Sequence, residues 1–254
     1  MLAHPLLPKL RRLRLSGMAY TLDSRCSQAV SGGLSPLEFL ALLLDDEIER
    51  RSNSSLKLKL AQSGLDASKT LGHFDFSAAP QLNRSLVMEL ATCAFIAKAE
   101  NLLLCGPTGT GKSHLVNAIG FEALKRGYTV VHRPVQRLLA DLNAARADGT
   151  HARRFARLCS LDLLILDDFG LRPLSSQAAD ELYELISERY ERHAIAVTSN
   201  RAFSEWAEVF GDGLLANAAL DRLTHHSQTL VMRGSSYRQR GRHKEEAPTE
   251  PASG

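Results

Sequence analysis

A glycine-rich motif at residues 106–113, with the sequence GPTGTGKS, constrains this chain of 254 residues more than any other feature. It matches the pattern G-x-x-x-x-G-K-[ST], in which glycines let the backbone turn tightly so that its N–H groups point inward at a phosphate. The apolar run Asn101–Cys105 precedes it, and a helix-forming stretch follows. The motif therefore predicts a nucleotide-phosphate loop between a buried strand and a helix N-terminus, where partial positive charge favours an anion.

The last residues of this loop have the side chains that phosphate and metal binding need. Lys112 is predicted to reach the β- and γ-phosphates, and the Ser113 hydroxyl to complete the shell of a Mg²⁺ ion. A glycine-rich turn that arose by chance is the alternative. The predicted nucleotide-binding residues are Gly106, Pro107, Thr108, Gly109, Thr110, Gly111, Lys112, Ser113 and His114.

A second motif follows some fifty residues later, where the apolar run Leu163–Leu166 ends in Asp167 and Asp168. A buried strand would bring Asp167 beside the phosphate loop, where it can hold Mg²⁺ through water, and would place Asp168 to polarise the attacking water. The alternative is that Asp168 only caps the turn that follows. Because both motifs occur in order on predicted strands of one sheet, the sequence predicts a nucleotide triphosphatase.

A third strand and a set of arginines complete the predicted catalytic residues. The run Ile195–Ser199 ends at Asn200, which could orient the lytic water or simply begin a loop. An arginine from a neighbouring subunit often stabilises charge on the transferring phosphoryl group. Arg222 is the first candidate, Arg201 the second and Arg189 the third, and an exposed helix arginine without this role is the alternative.

The fold class predicted from the whole sequence is α/β. From about residue 83, helical stretches alternate with short apolar runs, which is typical of a parallel sheet with helices on both faces. The first seventy residues are Leu-rich at helical spacing, and Ser35-Pro36 with Glu38 predicts a helix start. The predicted strands are Asn101–Cys105, Thr129–His132, Leu161–Leu166, Ala194–Thr198 and Thr229–Met232.

These patterns predict four regions along the chain. They are a small all-helical N-terminal domain over 1–70 for partner, DNA or self-association, a connector over 71–82, an ATPase domain over 83–240 and a flexible tail over 241–254. No apolar run approaches the roughly 20 residues of a membrane-spanning helix, and the N-terminus lacks a signal-peptide core. We therefore expect a cytoplasmic protein with no membrane partner.

Charge and metal-binding residues are less decisive. The net charge of +3 does not by itself indicate nucleic acid. Four widely separated cysteines fit neither a disulfide framework nor a zinc site, and His225-His226 is interpreted as structural because no further ligand lies at useful spacing. A basic region could instead contact a DNA backbone, with ordinary solvated helix charge as the alternative. Its candidate residues are Arg137, Arg146, Arg153, Arg154 and Arg157, and a poorer cluster is Tyr237, Arg238, Arg240 and Arg242.

The combined motifs resemble the IstB family, AAA+ ATPase helpers of insertion-sequence transposases that are similar to DnaC-type helicase loaders. The resemblance covers nearly the whole chain to about Arg240. It rests on the two motifs above together with Thr198-Ser199-Asn200, the run DRLTHH at 221–226 and the run GSSYR at 234–238.

The resemblance implies an AAA+ fold without a full helical lid and an ATP-dependent homo-oligomer, ring or spiral, with ATP between subunits. It implies that this oligomer binds duplex target DNA and recruits and stimulates the cognate transposase. It also implies ATP and Mg²⁺ contacts for Lys112 and Ser113, Mg²⁺ for Asp167, hydrolysis for Asp168, a sensor role for Asn200 and an inter-subunit finger for Arg222. Two alternatives stay open: a DnaC-type replicative helicase loader, and a scaffold that binds ATP without turnover.

Overall fold

The computed structural model describes residues 5–234 and residue 237. It divides the chain into two compact units, one ending at Lys59 and the other beginning at Leu60. The helices are α1 (Leu7–Arg12), α2 (Ser16–Gly32), α3 (Pro36–Ser63), α4 (Arg84–Leu90), α5 (Ala94–Ala97), α6 (Lys112–Lys125), α7 (Val135–Ala147), α8 (His151–Cys159), α9 (Ser176–Arg189), α10 (Ala207–Phe210) and α11 (Gly213–His225). The strands are β1 (Asn101–Cys105), β2 (Val130–Pro134), β3 (Leu163–Phe169), β4 (Ala194–Ser199) and β5 (Ser227–Val231).

The first unit is helical, and α3 starts where the sequence predicts. The Ser35 N–H donates to the Glu38 carboxylate at 2.8 Å, and the Glu38 N–H donates back to the Ser35 hydroxyl at 3.3 Å. The buried Glu47 of α3 accepts a hydrogen bond of 2.6 Å from the Gly17 N–H at the start of α2. A Cβ at Gly17 would lie 2.6 Å from the backbone of α3, so this close contact requires glycine.

The second unit is built on a parallel sheet with the strand order β2-β3-β4-β1-β5 among the described residues. All five predicted strands are confirmed, with ends that differ from the prediction by three residues or fewer. β4 separates β1 from β3, so the two strands that end in the sequence motifs share a neighbour. Parallel strands place their carboxyl ends at one edge of the sheet, and that edge holds both motifs.

Helices cover both faces of this sheet, as predicted. Alternate residues of β3 and β4, including Leu164 and Val197, belong to the main core with α7, α9, α10 and α11. Ile165 points the other way, toward α6, where a Cβ on Gly120 would lie 2.7 Å from its side chain. None of the described helices combines the length and apolarity that crossing a bilayer requires.

Candidate nucleotide-binding site

The loop between β1 and α6 has glycine where side chains would not fit. Gly106 has a φ of +147°, and a Cβ there would collide with the carbonyl oxygen of Met232. Gly111 has a φ of +94°, and a Cβ there would lie 3.0 Å from the ring of Phe74. Both backbone conformations belong to the region that glycine adopts at little cost. The loop therefore keeps an open concave shape that larger residues would distort.

The backbone of this loop has unused hydrogen-bond donors. In the described part of the chain, the N–H groups of residues 108–111 donate to no other residue. The Lys112 ammonium donates to the carbonyl oxygens of Gly106 at 2.7 Å and of Pro107 at 2.8 Å. Burial lowers the pKa of Lys112, while the carboxylates at the end of β3 oppose that shift. A cation and a row of free amides are the groups that an anionic phosphate chain requires.

Asp167 lies at the centre of a hydrogen-bond network beside the loop. The Ser113 hydroxyl donates to its Oδ1 at 2.9 Å, the Thr198 hydroxyl donates to the same oxygen, and Nε2 of His132 lies 3.2 Å from Oδ2. Burial raises the pKa of Asp167, but these hydrogen bonds outweigh it and hold the pKa below its usual value. The sequence indicated Ser113 and Asp167, but it predicted no site role for His132 or Thr198. The signal for His132 was a polar residue near the end of an apolar strand, and Thr198 begins the run Thr198-Ser199-Asn200 on which the family resemblance partly rests.

Asp168 faces away from this network. Its φ is +56°, at an irregularity in the β3–β4 pairing, and its N–H donates to the Thr198 hydroxyl at 3.1 Å. The exposed side chains of Asp168 and Asn200 both line the cleft above the loop. The two residues predicted to act on water therefore border the same space as the phosphate loop.

The cleft over the loop has a volume of about 530 Å³, a size that suits a small-molecule ligand. One wall comes from a segment before the sheet, in which the sequence predicts no site residue. The residues of this segment that line the cleft are Lys69, His73, Phe74, Asp75, Ala78 and Ala79. Arg233 and Tyr237 line the cleft as well, and the Tyr237 N–H donates to the carbonyl of Gly109 at 2.9 Å.

Helix α6 holds this wall in place. The buried Asn117 side chain accepts a hydrogen bond from the Asp66 N–H and donates to the carbonyls of Asp66 and Lys69, each at 2.9 Å. One turn earlier, Nε2 of His114 lies 3.0 Å from the Thr70 carbonyl oxygen. The predicted ligand residue His114 also packs edge-on against Phe74, with ring centroids 5.4 Å apart.

The candidate finger arginines occupy three different settings. Arg222 lies on α11, and its carbonyl accepts a hydrogen bond from the side chain of Asn101, the first residue of β1. It is therefore at the opposite end of a strand that spans about 16 Å at ~3.3 Å per residue. Arg201 donates to the Gly170 carbonyl at 2.6 Å, near the cleft. Arg189 is fully buried and donates to three carbonyls, so its candidacy is wrong.

The five arginines predicted to contact DNA lie on α7 and α8. Arg137 and Arg154 pair with Asp141 and Asp148, and Arg146 pairs with Glu181. Arg153 and Arg157 are exposed and form no ion pair with another described residue. The poorer cluster and most of the run at 234–238 lie outside the described residues, apart from the exposed Tyr237.

Comparisons with known proteins agree with this geometry. The family model described as IstB-like ATP binding protein matches residues 8–247. A Pseudomonas aeruginosa protein, named for insertion sequence IS21 and ATP binding, is 39% identical over 95% of this chain and 91% of its own length. A Geobacillus stearothermophilus protein, named for insertion sequence IS5376 and ATP binding, is 37% identical over 92% of this chain and 94% of its own.

Solved structures with a similar fold are more distant. The DnaC helicase loader superposes with a TM-score of 0.51 at 18% identity and covers 59% of this chain and 87% of its own. The replication initiator DnaA bound to AMPPCP and single-stranded DNA gives a TM-score of 0.57 at 24% identity, over 72% of this chain and 56% of its own. These likenesses establish the AAA+ fold.

Proposed function

This chain belongs to the family of IstB-like ATP-binding proteins, and on that premise we propose that it is an ATP-hydrolysing transposition helper. In this proposal an ATP-bound oligomer binds target duplex DNA, recruits and stimulates the cognate transposase, and is reset by hydrolysis. The observation that carries the catalytic part is that Ser113 bonds to Asp167 beside the phosphate loop while the next residue, Asp168, lines the cleft above that loop.

ATP binding follows from groups that the loop already presents. Its free N–H groups would donate to the phosphate oxygens, and Lys112 exchanges its two carbonyl contacts for the β- and γ-phosphates. The wall that contains Phe74 lies within the same cleft and would contact the base.

The donor set around Asp167 suits Mg²⁺, because a hydroxyl and a carboxylate oxygen lie together at 2.9 Å. Ser113 and Asp167 would hold the ion, which when bound neutralises charge on the phosphates. Asp168 accepts a proton from the attacking water, and Asn200 orients that water from the adjacent strand. The Thr198 and His132 contacts keep Asp167 aimed at the loop.

Oligomerisation completes the catalytic site. Arg222 lies at the edge of the sheet away from its own loop, so it reaches a phosphate only in a neighbouring subunit. Its guanidinium stacks over the Tyr183 ring, 5.0 Å from the centroid, and donates to the Ala218 carbonyl. A finger in trans explains why ATP would favour assembly.

The experiment is ATP hydrolysis and oligomer size measured with and without duplex DNA. We expect DNA to stimulate both in the natural chain, Lys112→Ala to lose ATP binding and assembly, and Arg222→Ala to bind ATP but not hydrolyse it. Mixing Arg222→Ala with Asp168→Asn subunits should restore partial hydrolysis, since each supplies what the other lacks. Normal assembly by Lys112→Ala would refute the mechanism.

Capture of the cognate transposase tests the partner. We expect the DNA-bound, ATP-bound protein to retain transposase and to stimulate strand transfer. Retention of the replicative helicase instead would identify the DnaC-type alternative, and ATP binding without phosphate release would identify the scaffold.

A further inference from the structure

Two adjacent histidines near the end of α11 lie close to a third residue that can bind a metal ion, although that residue is far from them in the sequence. His225 and His226 are 34 and 35 residues beyond Glu191, which follows α9. In the structure, the Glu191 Oε1 atom lies 3.9 Å from Nδ1 of His225 and 3.6 Å from Nε2 of His226. One ligand atom from each residue lies within 4.8 Å of the other two. The reason for interpreting His225-His226 as purely structural, the lack of a nearby acidic ligand, is therefore removed.

These separations approach those around a single ion. Two ligand atoms at about 2.1 Å from a tetrahedral Zn²⁺ stand roughly 3.4 Å apart. The three side chains are half exposed, so rotation about their side-chain bonds can bring ligand atoms that now lie within 4.8 Å of one another to the separations of a shared ion. Three protein ligands also leave a coordination position for water. Imidazole ligands favour Zn²⁺, Cu²⁺ and Ni²⁺ over Mg²⁺, so this set differs in kind from the oxygen ligands beside the loop.

The backbones that carry these ligands are fixed before any ion binds. Glu191 has a φ of +57° in a tight turn whose next two N–H groups both donate to the Arg189 carbonyl at 3.0 Å. The His226 carbonyl accepts a hydrogen bond of 2.7 Å from the Asn101 N–H at the start of β1. Ligand side chains on a preformed frame lose less freedom on binding than ligands on free loops.

We propose that Glu191, His225 and His226 form a binding site for a divalent d-block cation of the Zn²⁺ class. The site lies at the amino edge of the sheet, about 16 Å of strand away from the phosphate loop. It joins the turn after α9 to the end of α11, the helix that carries Arg222. A bound ion ties these two elements together and is independent of the Mg²⁺ that ATP brings.

A neighbouring hydroxyl makes the proposal specific. The Tyr190 hydroxyl lies 2.7 Å from Nδ1 of His225 and is hydrogen-bonded to it. An ion that binds this nitrogen must displace the hydroxyl, which therefore competes with the ion for Nδ1. Tyr190→Phe removes the competitor and should tighten Zn²⁺ binding several-fold, whereas a purely structural Tyr190–His225 contact would give no gain.

The experiment titrates Zn²⁺ into the tag-free full-length protein after chelator treatment, in competition with a chromophoric chelator. We expect one ion per chain and a higher Tm with Zn²⁺. Glu191→Gln and His226→Asn should weaken binding at least tenfold while ATP binding stays unchanged. Glu188→Gln, one helical turn earlier, is the matched control and should bind like the natural chain.

Two results would overturn the proposal. One is that the natural chain binds no stoichiometric Zn²⁺ at 100 µM, which would mean that the three side chains interact only with one another. The other is equal binding by the natural chain, Glu191→Gln and His226→Asn, which would move the ion to other ligands. Failure of ATP hydrolysis in the natural chain would refute the proposed function and leave this site untouched, so the two proposals fail separately.

Discussion

Replacing Asn117 with alanine tests how the wall of the nucleotide cleft is held. The substitution removes three hydrogen bonds of the buried Asn117 side chain, one accepted from Asp66 and two donated to Asp66 and Lys69. At a net value of about 1 kcal/mol each, the free energy of unfolding should fall by about 3 kcal/mol. In a unit of this size that corresponds to a Tm lower by roughly 6–12 °C.

The same substitution should weaken ATP binding, because the released segment leads directly to Phe74 in the cleft. We expect a Kd for a fluorescent ATP analogue about three- to tenfold higher, or ~1 kcal/mol. Asn117→Asp keeps the side-chain volume but sets an oxygen against two carbonyls, so it should destabilise at least as much.

The control is Asn143→Ala, at an exposed position of α7, which should change stability by less than about 0.5 kcal/mol. Chemical denaturation and the nucleotide titration would be run on all three variants. An Asn117→Ala protein within 0.5 kcal/mol of the natural chain would refute the argument that these bonds fasten the wall.

Three further predictions concern catalysis, DNA and pH. Asp168→Asn should bind ATP normally but hydrolyse it about 100-fold more slowly in a phosphate-release assay. An unchanged rate would mean that another residue activates the attacking water. Replacing Arg153 and Arg157 with glutamine should lower the salt dependence of DNA binding by roughly one unit of slope per lost contact, and an unaltered slope would leave them as solvated charge. The Arg25 guanidinium holds the pKa of Asp46 at about 2. The contribution of the ionised Asp46 to folding stability is therefore complete above about pH 4 and should be lost as pH falls toward 2. Thermal unfolding of Arg25→Gln should lack that step.

Features encoded within a short stretch of sequence were predictable. The glycine pattern of residues 106–113 and the apolar run before Asp167 have signals in adjacent residues, and the sheet places them at one edge because parallel strands share a direction. The Ser35 and Glu38 helix start is equally local.

Contacts between distant segments were not predictable in the same way. Phe74 lines the cleft because Asn117 fastens its segment, and Glu191 meets His226 because two helices end side by side. Neither pairing leaves a periodic signal, since each depends on the path of the whole chain. The prediction for Arg189 failed for a related reason: its charge suggested a surface role, but its two terminal nitrogens donate to three carbonyls in the core.

Thr198 has a consequence for the two adjacent aspartates at the end of β3. The Thr198 hydroxyl can donate one hydrogen bond, and it donates that bond to the Asp167 carboxylate. The same hydroxyl oxygen accepts a hydrogen bond from the N–H of Asp168. Two neighbouring residues of identical chemistry thus become different: one carboxylate is anchored inward, and the other is turned outward by a left-handed backbone. Valine at this position would preserve the shape of the strand and remove both Thr198 hydrogen bonds, whereas serine would keep a hydroxyl there.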